Sequence, residues 1–228
     1  HWHSDSLKTD NYHLEKTKEC EALGIQLIHI FEDEYINKPD IVFSRLRNII
    51  GKSTEKIYAR KTIIKQVESS VAREFLNNNH IQGFTGSQYY FGLYIHKELE
   101  PDELVSLMSF GSLRKNLGNN SSTENSFELV RFCNKLNTNV IGGASKLFKH
   151  FVKHYKPENI ISYADKRWSR GKLYETLGFI LSHESKPNYF YVNGQKRENR
   201  FNYRKDILVS KYGCSIDDTE RNFTKQTL

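Results

Sequence analysis

The sequence predicts a mixed α/β (α+β) protein built in two unequal parts, on three observations. Short apolar runs of strand character interleave with stretches of helical periodicity along most of the chain. A polar step, Gly51-Lys52-Ser53-Thr54, interrupts that order, and the element grammar restarts at Lys56. Charge divides the chain at the same place. Residues 1–52 carry 7 Lys/Arg against 9 Asp/Glu, or −2, whereas the remainder carries 27 against 18, or +9. The expected divisions are therefore 1–52, 56–210 and a polar tail over 211–228.

The elements follow in order. Residues 10–23 read as a helix stopped by Gly24, with Tyr12, Lys16, Cys20 and Leu23 on one face. The apolar run Ile25–Phe31 predicts a strand buried on both faces, running into Glu32-Asp33-Glu34. A helix over 40–50 closes the first part. Beyond Lys56, strands are expected at 57–60 and 63–67, a helix at 69–77, and longer strands at 89–96 and 103–110. The Asn-rich stretch 116–125 predicts an exposed loop. Then come a strand at 127–132, a helix at 143–155, a strand at 160–163 and a helix at 171–177. Strands near 179–182 and 189–192 lead into the basic segment 196–205.

Composition excludes several classes. No apolar run approaches the roughly 18 residues of a membrane span, and no signal-peptide pattern opens the sequence. Cys20, Cys133 and Cys214 are widely spaced and form no CxxC pair, which argues against a zinc ribbon or a disulfide framework and for a reducing compartment. Residues 140–205 hold 14 basic and 5 acidic side chains, or +9. A field of that strength attracts polyanions, either nucleic acid or a phosphorylated cofactor. A solvated basic surface without a ligand is the plain alternative.

The first part gathers His1-Trp2-His3, Tyr12-His13, Lys16-Thr17 and the acidic run 32–34. Carboxylates at the end of a strand can hold a hard cation such as Mg²⁺, and a nearby histidine can act as acid or base. Lys16, if turned inward, could stabilise charge on a phosphoryl group. Acidic residues in the first turn of a helix also serve simply to cap it. These motifs resemble the Vsr-like homing endonucleases of bacteriophages, which have a PD-(D/E)xK-type core. Trp2-His3 matches a "Phe-Trp-His" segment of the related repair nucleases, and Ile30-Phe31-Glu32-Asp33-Glu34 matches their late acidic strand. The resemblance implies His3 as the acid/base residue, with Glu32 or a neighbour supporting the metal site. It also implies a C-terminal portion of a longer nuclease, because the family's principal metal-binding acid precedes the Trp-His segment.

The second part carries a different pattern. Asn139-Val140-Ile141-Gly142-Gly143-Ala144 opens the helix at 143–155, and glycines at such a turn let backbone N–H groups approach a pyrophosphate. Further on, Leu173-Tyr174-Glu175-Thr176-Leu177-Gly178-Phe179 closes a helix. In this order the two motifs resemble the GNAT acyltransferase superfamily. The resemblance implies a mixed-sheet domain, coenzyme A binding at Asn139, Gly142, Gly143 and Ala144, and Tyr174 as the acid toward a departing thiolate. The same glycines could serve tight packing alone. Lys146, Lys149, Lys153, Arg167, Arg170, Arg197 and Arg200, with Trp168, Tyr189, Phe190, Tyr191, Phe201 and Tyr203 interleaved, could instead hold DNA.

The sequence thus leads to one expected function and two alternatives. The first is a phage-type homing endonuclease, a truncated Vsr-like segment followed by a GNAT-like basic domain. It would use Mg²⁺, bind double-stranded DNA and work in the cytoplasm of a bacterial host. The second is an acyltransferase using acetyl-coenzyme A, acting on a nucleobase. The third is a DNA-binding remnant without catalysis.

Overall fold

The computed structural model describes residues 12–113, 125–185, 189–193, 196–213 and 215. It divides into two compact units. One comprises Glu34–Leu181, and the other combines His1–Asp33 with Ser182–Leu228.

The larger unit is built on a five-stranded mixed sheet of order β2-β3-β4-β5-β7. Its strands are β2 (Ile63–Gln66), β3 (Tyr89–Ile95), β4 (Glu103–Ser112), β5 (Ser126–Asn134) and β7 (Asn159–Ser162). The first four pair antiparallel, and β7 joins β5 in parallel. A parallel neighbour needs a crossover, which α5 (Gly143–Tyr155) supplies. The central strand β4 is buried over Val105–Gly111, as a strand covered on both faces must be.

Helix α5 forms where expected, with the same bounds. Ala144, Leu147 and Phe151 recur at helical spacing and turn into the sheet. Phe151 stacks on Phe110 with ring centroids 3.7 Å apart, and Tyr155 stacks on Phe151. On another side α4 (Ser69–Asn79) buries Ala72, Phe75 and Leu76 against Val67, Tyr90, Leu107 and Cys133. The strands expected at 63–67, 89–96, 103–110, 127–132 and 160–163 all form, within a few residues of their expected ends.

The strand expected at 57–60 forms as β1 (Glu55–Tyr58) and gives way to a 3-10 turn at Ala59, but its parallel partner β6 (Thr138–Ile141) was not legible in the sequence. The turn that delivers β6 is held from two helices. Ser44 of α3 (Pro39–Ile49) accepts a hydrogen bond from the Asn137 N–H at 2.7 Å, and Arg47 donates to Asn137 Oδ1 at 2.9 Å. Asn79 of α4 accepts from the Leu136 N–H at 2.7 Å. Asn137 itself takes φ 58°, a conformation its short polar side chain tolerates.

The smaller unit contains α1 (Tyr12–Ala22), an antiparallel hairpin of β8 (Phe190–Asn193) and β9 (Lys196–Asn199), a 3-10 turn over Arg200–Tyr203, and α7 (Lys205–Tyr212). The expected strand at 25–31 does not form. Those residues have no regular structure, and none of them is buried. An apolar run becomes a strand only if a partner satisfies its backbone, and no strand pairs with it among the described residues. It ends instead in the short helix α2 (Glu32–Asn37). The expected strand at 179–182 is also absent, and Ile180 and Leu181 stand exposed.

Candidate functional site

Strands β5 and β7 pair only from Ser126/Asn159 to Leu129/Ser162. Ser162 closes the last rung by donating from Oγ to the Leu129 carbonyl at 2.9 Å. Beyond it β5 runs on to Asn134, whereas the chain after β7 turns away. The carboxyl ends of neighbouring parallel strands are where open α/β sheets receive ligands. Here two groups come to that end.

The first is the turn into α5. Gly142 adopts φ 77°, which a side chain would oppose, and a Cβ on Gly143 would come within 3.0 Å of Val140 Cγ1. Both glycines are therefore needed for the chain to enter the helix against the sheet. The first-turn N–H groups of α5 have no intrahelical acceptor, which gives that end a positive potential. The second is α6 (Lys172–Thr176), preceded by Gly171 at φ 90°. It carries Tyr174, whose hydroxyl donates to the Tyr163 carbonyl at 3.3 Å, one residue past β7. Helices α5 and α6 border an open pocket of about 260 Å³ lined by Ser145, Phe148, Lys149, Val152, Lys153, Thr176 and Leu177. A hydroxyl and two lysines on one wall suit a phosphorylated ligand, and the apolar remainder suits its carbon skeleton.

A second constellation lies in the loop after β7. Arg167 makes a bidentate pair with Glu34 at 2.9–3.1 Å and reaches Asp165 Oδ2 at 2.7 Å. Glu34 is 5% exposed. Burial opposes the charge on Arg167, but the two carboxylates outweigh it and hold the guanidinium above its ordinary value. Arg45 from α3 lies over the buried Trp168 ring at 4.6 Å, and burial lowers it from its ordinary value against the opposing pull of Asp165. His80, at the end of α4, is pulled down to about 3 by burial and then by Arg131, Arg45 and Lys38. Cys133 on β5 is pushed up to about 12 by burial. The bidentate pair with Glu34 and the Arg45–Trp168 contact hold the loop that follows β7 against α2 and α3.

The sequence-derived candidates distribute unevenly over this geometry. Asn139 lies on β6, and Gly142, Gly143 and Ala144 form the turn and first residues of α5. Tyr174 lies on α6 but is not one of the residues that line the pocket. Lys149 and Lys153 line the pocket, but Lys146 turns away and donates to the Ala59 carbonyl at 2.8 Å and to the Thr62 carbonyl. Arg167 belongs to the buried pairs, while Arg170 is exposed before α6. In the smaller unit Arg197 lies 3.6 Å from the Phe31 ring centroid and 3.2 Å from Asp33, and Arg200 is exposed.

His3 lies outside the described residues. Lys16 is exposed rather than turned inward, and Glu32 is an exposed residue of α2, not the end of a buried strand. Among the described residues no group of three or more His, Cys, Asp or Glu could hold a metal ion. The sequence reading missed Ser145, Glu34, Asp165 and His80. For Glu34 the acidic run was noticed, but helical phase selects its third member for burial, where a strand end had suggested the first.

The fold and this site define an α+β protein with a five-stranded mixed sheet and a pocket between α5 and α6. Residues 61–223 match the family described as the Mom protein family, well over half of the sequence, and the chain belongs to that family. No curated protein and no solved structure matches it. This membership overturns the resemblance to a Vsr-like homing endonuclease with an appended GNAT-like domain, and the endonuclease function falls with it. Mg²⁺ entered only through that hydrolytic reading. No helix among the described residues is long and apolar enough to cross a membrane.

Proposed function

We propose that this chain is a DNA-modifying transferase that attaches a group to a nucleobase. The observation that carries this reading is membership of the Mom family, associated with phage DNA modification, across 61–223. Double-stranded DNA is the substrate in this reading, and the basic excess of 140–205 is the attraction that brings it. A base inside a duplex cannot reach an atom in a protein cleft, so the target must leave the stack.

The donor of the transferred group sits in the α5–α6 pocket. A carrier with phosphates fits the residues there: the Ser145 hydroxyl and the ammonium groups of Lys149 and Lys153. Acetyl-coenzyme A is one such carrier, and when bound it supplies an acyl group activated as a thioester. Gly142 and Gly143 keep the approach to the helix N-terminus clear of side chains. Tyr174 is held by the Tyr163 carbonyl at the mouth of the diverging strands, where its phenol can give up or take back a proton.

The test is chemical. The protein is expressed in bacteria, and the host DNA is digested to nucleosides and weighed by mass spectrometry. A new nucleoside heavier than one of the four is expected. Its yield should fall by about 10²-fold or more in Tyr174→Phe, the usual scale for a lost general acid. Unmodified DNA from cells holding soluble, folded protein overturns the reading. Calorimetry with acetyl-coenzyme A tests the carrier separately, and a flat titration removes that carrier alone.

A further inference from the structure

The β8–β9 hairpin presents two faces of different character. In the antiparallel register Phe190 opposes Asn199 and Val192 opposes Arg197, so these four share a face. That face is partly covered within its own unit: Phe31 meets Phe190 edge-on at 5.7 Å, and Arg197 lies against both rings. Tyr191 opposes Glu198 on the other face, and Tyr191 packs on the buried Tyr203, whose hydroxyl donates to Glu198 at 2.9 Å. This row of rings continues to the open end of the hairpin. There Tyr189 is 47% exposed and Phe201 37% exposed. The Arg200 guanidinium lies 5.5 Å from one ring centroid and 5.4 Å from the other.

Local charge favours an anionic partner. Residues 189–205 contain five basic side chains and one acidic, or +4. The one acid, Glu198, is occupied by Tyr203. Among the described residues Arg200 forms no ion pair. Two partly exposed aromatic rings beside an exposed guanidinium offer stacking surface together with a phosphate contact, the combination that holds unstacked nucleotides. A purely apolar protein partner would gain nothing from the arginine. A lipid surface would not need flat rings.

Resting on the DNA-modifying reading above, we propose that the Tyr189–Arg200–Phe201 end of the hairpin is a DNA-contact platform, taking an unstacked base on its rings and a phosphate on Arg200. Base modification creates the need for such a surface, because extruding a base leaves bases around it without their stacking neighbours.

Fluorescence anisotropy with the full chain tests this, using a labelled single-stranded oligonucleotide and a duplex containing one unpaired base. The double variant Tyr189→Leu/Phe201→Leu, which keeps apolar bulk, should lose about 10-fold or more in affinity for both, the scale of one lost stacked base. Tyr189→Phe should bind as the wild type does. Arg200→Ala should weaken binding and reduce the salt slope by about one phosphate contact. All these positions are exposed, and circular dichroism confirms that the variants are folded. Wild-type affinity in the double leucine variant overturns the proposal. So does a loss of self-association in that variant with DNA affinity unchanged, which assigns the face to a second copy of the chain. Nucleoside masses from expressing cells separate the two readings. Modified DNA with unaffected hairpin variants removes the platform alone, whereas unmodified DNA with impaired hairpin variants removes the transferase reading and leaves the DNA contact standing.

Discussion

Arg167 in the larger unit and Arg200 in the smaller were drawn from one basic stretch of sequence, yet their surroundings differ in every respect. Arg167 is clamped between Glu34 and Asp165, with 23% of its side chain exposed. Arg200 lies across two exposed rings and forms no ion pair among the described residues. The units around them differ in the same sense. The larger one has an interior of stacked rings and aliphatic side chains beneath α5, and its cations secure helices and loops to that interior. The smaller one joins residues 12–33 to the hairpin through Arg197, which lies over the Phe31 ring and reaches Asp33, and through the edge-on contact of Phe31 with Phe190. A positive residue count therefore overstates the charge available to a ligand. Lys146 and Arg167 are largely committed to their own unit.

The sharpest way to probe this difference is to remove the ring at the centre of the larger unit. Phe151 is fully buried, and Phe151→Ala should destabilise that unit by about 3–5 kcal/mol, measured by urea unfolding. The two arginines should then separate. Arg167→Ala leaves Glu34 buried with its main partner gone, and a loss of roughly 3 kcal/mol is expected, at the lower end for a broken buried pair because Arg167 retains some solvent. Arg200→Ala should change stability by no more than about 0.5 kcal/mol, as for most surface substitutions. Equal losses at the two positions would erase the distinction.

Acid should act on the larger unit through His80. The unfolded chain takes up a proton near pH 6.5 that folded His80 refuses until about 3. Its contribution is whole above about 6.5 and is lost as the pH falls toward 3, at up to about 1.4 kcal/mol per unit. Unfolding measured at pH 7, 6 and 5 should show that decline, and His80→Gln should flatten it. The smallest stability effect, within about 0.5 kcal/mol, belongs to Lys149→Ala/Lys153→Ala. Both are exposed on α5, so calorimetry with a phosphorylated carrier should report their loss while thermal melting does not.

Much of the larger unit was readable in advance. Helix α5 announces itself because Ala144, Leu147 and Phe151 repeat at its own period, with Gly142 before it. The Gly142–Gly143 turn is legible as glycines set between a strand and a helix, and both form that turn, whereas Tyr174 was singled out only through the resemblance to GNAT acyltransferases. The strand expected at 25–31 failed because an apolar run specifies burial but not a partner. Strand β6 was missed for the converse reason: its four residues pair with β1 more than 80 positions earlier, as in Glu55 with Thr138, and no local pattern encodes that distance. Family resemblance misled further, because short motifs such as Trp2-His3 and the acidic run 32–34 are too brief to outweigh a match over 61–223.

By itself the sequence determined what its local physics could carry: most helices and strands of the larger unit, the turn glycines, and a basic excess over 140–205. Tertiary structure decided which charges were committed. A guanidinium beside Glu34 and one across Tyr189 are the same group until distant segments are brought against them, and electrostatic and stacking energies depend on those few ångströms.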